Sequence, residues 1–132
     1  MVNLPESEAL GSLLHKAHER AMPTVSICHG PSTLLAATKT AGKAFPYAGY
    51  KAVCFTAATD RFTPLLGYLP GRMPWHPAAK LAEHGVTITN YVERGSICVD
   101  RELITGDSPF AANQLGKQAV PLIIEWAAKE GL

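Results

Sequence analysis

The run Ser26-Ile27-Cys28-His29-Gly30-Pro31 constrains this chain more than any other stretch. Ahead of it, Thr24-Val25-Ser26-Ile27 is a short β-prone segment that starts just after Pro23; behind it, Leu34-Leu35-Ala36-Ala37 has helical composition. A strand, a turn bearing Cys, His, Gly and Pro, and then a helix form an elbow with Cys28 at the strand end. Gly30 is expected to give the turn its backbone freedom, and Pro31 suits a first helical turn. A thiol is an effective nucleophile only as thiolate. At an elbow it lies beside the N-terminus of the next helix, whose free N–H groups favour an anion and can form part of an oxyanion hole. Residue types alone leave a second reading open, in which Cys28 is a small buried hydrophobe.

His29 follows directly. Neighbours on a straight strand point to opposite faces, but at a sharp turn they can meet, so His29 is a candidate general acid/base. Such an imidazole needs an orienting carboxylate. Asp60 is the candidate, because it follows the next strand-like run, Lys51-Ala52-Val53-Cys54-Phe55, at the same end of a parallel sheet.

The remaining segments alternate. A helix is expected from about Pro5 to Arg20, with Leu10, Leu13, Leu14, Ala17 and Ala21 on one face. Residues 39–49 and 56–77 read as loops, and Pro77 to His84 as a helix closed by Gly85. Val86–Thr89 and Ser96–Val99 read as strands with Arg94-Gly95 as a turn between them or just before pairing, followed by a short strand Leu103–Thr105. Ser108 then suits an N-cap and Pro109 the N1 position of a final helix. Its expected apolar face is Ala112, Leu115, Ala119, Leu122, Ile123 and Trp126. Together these predict a single α/β domain over residues 1–132, built as a partial doubly wound, flavodoxin-like sheet with flanking helices.

Hydrophobic residues make up 47% of the 132-residue chain and charged residues 17%, enough for a core and unlike a disordered segment. A net charge of +1 with scattered Lys and Arg argues against nucleic acid as a partner. No apolar run has the roughly 20 residues of a membrane span, and no signal peptide is visible, so neither a membrane nor secretion is expected and cytoplasm is the default. Three widely spaced cysteines suggest reduced thiols rather than a disulfide framework or zinc knuckle.

The string Val25-Ser26-Ile27-Cys28-His29-Gly30-Pro31 resembles the nucleophile elbow of the PfpI-like branch of the class I glutamine-amidotransferase-like superfamily, and most closely its HchA-type members. Leu4-Pro5-Glu6-Ser7, Gly67-Tyr68-Leu69-Pro70-Gly71 and the longer Leu103-Ile104-Thr105-Gly106-Asp107-Ser108-Pro109-Phe110-Ala111-Ala112-Asn113 carry the same likeness in the family's order. The resemblance implies Cys28 as nucleophile, His29 as its neighbour and Asp60 as third triad member. It implies glyoxalase III or deglycase chemistry, or holding-chaperone activity, on a small dicarbonyl or glycated protein, with no cofactor. It covers only the family's C-terminal half. The other half supplies early strands, a glutamate on the thiol, an oxyanion donor and the family's metal ligands. The chain is therefore expected to be incomplete at its N-terminal side, with no metal site of its own. Self-association or a complementing N-terminal half is expected to cover the exposed sheet.

Other residues draw bland readings. His15 and Glu19 form an i, i+4 pair that is more often surface than metal-binding. His76 and His84 look isolated, Cys54 and Cys98 look like buried inert thiols, and Asp107 with Ser108 looks like helix capping. Phe62, Tyr68 and Trp75 either line a pocket or pack over the sheet.

Overall fold

The computed structural model describes residues 3–67 and 71–132. Tyr68, Leu69 and Pro70 of the Gly67–Gly71 stretch lie outside the described residues. Among the described residues, five strands form two small sheets. β1 (Thr24–Ile27) pairs in parallel with β5 (Leu103–Gly106), which pairs antiparallel with β4 (Ile97–Asp100), giving the order β1-β5-β4. β2 (Lys51–Ala52) pairs in parallel with β3 (Thr87–Ile88).

β2 and β3 are shorter than the runs expected over residues 51–55 and 86–89, whereas β1 spans the expected residues. Arg94-Gly95 forms the bend just before β4, one of its two expected placements. The hairpin turn lies at Arg101-Glu102, where Arg101 takes φ +56°, rather than at Arg94-Gly95. β3 instead reaches back to β2, because Val86–Ile88 emerges from a helix in the parallel direction.

α1 (Glu8–Glu19) starts at Ser7, whose Oγ accepts from the Leu10 amide at 3.2 Å. Its buried face runs through Gly11, Leu14 and His15, whereas Leu13 and Ala21 are exposed. A Cβ on Gly11 would lie 2.3 Å from the Ala36 carbonyl oxygen, so glycine is what lets α1 press onto the next helix. That next helix, Gly30–Lys39, is of the tighter 3-10 type throughout. It buries Leu34, Leu35, Ala36 and Ala37 against Tyr47, Tyr50, Leu81, Val86 and Leu103.

Leu103 and Ile104 point to opposite faces of β5, as neighbours on a strand must. Ile104 faces a second cluster with Leu115 and Ala119 of α4 (Ala112–Lys129). Apolar layers therefore cover both faces of β5, which is the doubly wound arrangement expected. The face of α4 is narrower than its pattern suggested. Leu115 and Ala119 are buried and Leu122 partly so, but Val120, Ile123 and Ile124 are exposed, as is Phe110 just ahead of the helix. Trp126 donates its indole N–H to the Arg20 carbonyl at 3.0 Å.

Two further readings need correction. The 56–77 stretch is not all loop, since Ala57–Asp60 forms a single helical turn, α2. Ser108 makes no side-chain cap: its hydroxyl donates to Asp107 Oδ1 at 2.7 Å. The helix expected at Pro77 is present as α3 (Pro77–Glu83), closed by Gly85 at φ +87°. Among the described residues no helix is long and apolar enough to cross a membrane.

Candidate active site

Cys28 leaves β1 in the left-handed region, with φ +63°. A non-glycine residue there is held by its surroundings. The Cys28 amide donates to the Gly106 carbonyl at 2.8 Å, and its carbonyl accepts from the Phe55 amide at 2.9 Å. The sharp backbone bend thus falls on the cysteine itself and not on Gly30, as the composition of the turn suggested. At Gly30 the backbone passes close to Ser26: a Cβ there would sit 2.6 Å from Ser26 Oγ, so the hydroxyl would have to rotate away.

The bend turns the Cys28 and His29 side chains toward each other. Cys28 Sγ lies 3.3 Å from His29 Nδ1, and His29 Nε2 lies 2.8 Å from Asp60 Oδ1. An N–H on Nε2 donating to the carboxylate leaves Nδ1 free to accept from the thiol. The imidazole stacks on Phe55 with ring centroids 4.4 Å apart. Asp60 is 1% exposed and closes α2. All three sequence candidates therefore meet in one hydrogen-bonded row.

Burial pushes the Cys28 thiol above its ordinary value, and the nearby carboxylates of Asp60, Glu93 and Asp107 push the same way; the backbone hydrogen bond at His29 opposes them. The assistance to ionisation expected of the elbow is outweighed within this chain.

Sequence reasoning missed three neighbours. Phe55 forms the floor under His29. His76, expected to be isolated, places its buried Nδ1 3.9 Å from the buried Asp60 Oδ2, and among the described residues neither atom has a hydrogen-bond partner. Both residues border a cavity of about 310 Å³ with Arg61, Arg72 and Met73. Glu93 accepts from the Thr56 amide and the Thr59 hydroxyl, each at 2.6 Å, at the head of α2. No local motif marks Glu93, because its partners lie more than thirty residues away. A larger hollow of about 500 Å³ sits at the other end of β5, beside Glu102 and Trp126.

The remaining candidates go elsewhere. His15 Nε2 is satisfied by the Ala37 carbonyl at 3.0 Å and Glu19 pairs with Lys43, so the two do not converge. Among the described residues no group of three or more His, Cys, Asp or Glu side chains is arranged to hold a metal ion. All three cysteines are free. Cys54 is fully buried, and burial pushes its thiol up to about 12; Cys98 is only half-buried, against expectation, and is shifted the same way. Trp75 packs on the core, whereas Phe62 is exposed.

No family model matches the chain. The protein/nucleic acid deglycase HchA of Escherichia coli O1:K1, and that of Escherichia coli K12 strain DH10B, are each 40% identical over 119 residues, or 90% of this chain. The chain is HchA-like. It spans 41% of the length of these relatives, in keeping with a resemblance to part of the family's fold. A crystal structure of a protein named APC35852 superposes with TM-score 0.80 at 25% identity, over 95% of this chain and 55% of that one. The 24 kDa rapid encystment protein of Francisella tularensis shares the fold, with TM-score 0.74 at 18% identity over 90% and 51% of the two chains. The expectation that nucleic acid is no partner finds no support from HchA relatives whose name includes it.

Proposed function

We propose that this chain carries the cysteine site of a glyoxalase III or deglycase, with Cys28 as nucleophile, His29 as general acid/base and Asp60 as its orienting carboxylate. The observation that carries the reading is the row Cys28–His29–Asp60, at 3.3 and 2.8 Å, on a strained elbow in an HchA-like chain. On methylglyoxal, the thiolate adds to the aldehyde carbon and His29 protonates the new alkoxide, giving a hemithioacetal. A base then removes the C1 proton to give an enediol, and a proton returned to C2 leaves a lactoyl thioester. Water hydrolyses this to lactate and restores the thiol. Neither glutathione nor a redox partner enters the balance. On a glycated amine, thiol or base, the C1–N or C1–S bond of the carbinol adduct breaks as the bond from C1 to the Cys28 sulfur forms; the repaired group leaves with a proton, and the same hemithioacetal goes on to lactate. The setting is the cytoplasm, with either self-association or a complementing chain beside β1.

The test is glutathione-independent loss of methylglyoxal by the chain, beside Cys28→Ala. Turnover that survives the substitution removes Cys28 from the reaction. A second reading, a holding chaperone, is favoured by the exposed Phe110, Val120, Ile123 and Ile124. It expects suppression of client aggregation that persists in Cys28→Ala; suppression lost in that variant ties the effect to the thiol.

A further inference from the structure

We infer that Glu93 is the positioning residue that holds Asp60 against His29, by completing from a distant loop the cap of the short helix that carries Asp60. The inference rests on the thiol-site reading above and adds a residue to it.

α2 spans four residues, far too few to persist on its own. Thr56 is its N-cap, and its Oγ1 accepts from the Thr59 amide at a long 3.4 Å. In a capping box the reciprocal bond comes from Glu or Gln at the third helical position, which reaches back to the N-cap amide. That position here is Thr59, which cannot make the bond. Glu93 makes it instead. Its Oε1 accepts from the Thr56 amide and its Oε2 from the Thr59 hydroxyl, so one carboxylate ties together both ends of the box. Asp60 is the next residue.

Glu93 is itself anchored. The amides of Arg94 and Ser96 donate to Asp107 Oδ2 at 3.0 and 2.9 Å, and Asp107 is fully buried directly after β5. The preceding residue, Gly106, accepts the Cys28 amide. Nucleophile and loop are therefore both referenced to the Gly106-Asp107 peptide. From there the path runs through Glu93 to α2, Asp60, His29 and back to Cys28. Burial works against the charge of Glu93, but hydrogen bonds from Thr59 and Thr56 hold it below the usual carboxylate range; burial likewise opposes the charge of Asp107, which Ser108, Arg94 and Ser96 hold down. Glu93 touches no reacting atom, so its role is positional.

The readout is the imidazole N–H that His29 donates to Asp60, observed by proton NMR on the full chain as a downfield, exchange-protected resonance. Asp60→Asn and His29→Asn identify it by its disappearance. Glu93→Ala is expected to lose the signal. Glu93→Gln is expected to restore it, because the amide oxygen still accepts from the Thr56 N–H and the amide nitrogen can donate to Thr59. If Glu93→Ala does not fold, Thr59→Val keeps the bond from the Thr56 amide to Oε1 and is expected to speed exchange of the signal. It removes the bond to Oε2, together with the long 3.4 Å bond that Thr59 Oγ1 accepts from the Thr56 hydroxyl. An undiminished resonance in folded Glu93→Ala, an unchanged one in Thr59→Val where the alanine variant does not fold, or no such resonance in the unmodified chain overturns the inference. Absence of Cys28-dependent methylglyoxal loss with this NMR pattern intact would sink the chemical reading and leave the positioning in place.

Discussion

The strain at Cys28 has a measurable sign. In most strands and helices glycine is less stable than alanine by about 0.5–1 kcal/mol. At φ +63° the order is expected to reverse. A side chain with a Cβ in the left-handed region costs about 1–2 kcal/mol, whereas glycine is unstrained there. Glycine returns about 0.4–1 kcal/mol of this through the greater freedom of its unfolded chain. Cys28→Gly should therefore be more stable than Cys28→Ala by about 1 kcal/mol, or about fivefold in the folding equilibrium. Both variants lack the thiol, so the comparison isolates the backbone. Urea denaturation under reducing conditions reads it directly: with a slope of about 1–3 kcal/mol/M, the glycine midpoint lies roughly 0.5 M higher. An alanine variant equal to or more stable than glycine would refute a left-handed Cys28. It would also remove the geometric reason for the thiol to face His29.

Iodoacetamide followed by peptide mass mapping should label Cys28 and Cys98 in the folded chain and spare the fully buried Cys54; labelling of Cys54 before unfolding contradicts the packing. The pH profile of Cys28 alkylation should have its midpoint above the ordinary thiol value, and Glu93→Gln should move it to lower pH by removing one of the charges that raise it. Cys54 and Tyr50 are both pushed up to about 12 by burial, from ordinary values near 9 and 10. Their stabilising contribution is full below those ordinary values and fades as pH climbs toward 12, by a few kcal/mol. Thermal melts across that range should therefore fall steeply, and less so in Cys54→Ala; a flat profile refutes this. Leu103→Ala, at a fully buried position under the Leu34–Tyr50 cluster, should cost about 2–5 kcal/mol by urea denaturation without abolishing the His29 resonance.

The elbow, the candidate residues on and near it and the strand at β5 were legible in the sequence because each is encoded locally. Cys28 and His29 are adjacent, Asp60 follows a strand-like run, and Leu103-Ile104-Thr105 is a short β-prone run. What escaped was encoded at a distance or in backbone geometry. Cys28 was not expected to carry the bend, since glycine two residues on is the usual marker of a tight turn. His76 and Glu93 reach the site only through tertiary contacts at sequence separations that no periodicity reports. Asp107-Ser108 looked like a helix cap because the residue types are the same; the structure turns the aspartate toward the Arg94–Ser96 amides instead. The face of α4 was overestimated because Ile123 has the right spacing but stays 42% exposed.

The order β1-β5-β4 places the nucleophile's strand at the rim of its sheet, beside a strand whose four residues are all buried. Solvent isotope exchange should therefore divide sharply within a single strand pair. Amides of Leu103–Gly106 exchange among the slowest, and those of Thr24–Ile27 that face away from β5 among the fastest in regular structure. Cys28 sits on that boundary. Breathing of the rim alone, well short of global unfolding, should raise the solvent access of the partly exposed thiol, so its labelling in the folded chain is expected to quicken as β1 opens locally.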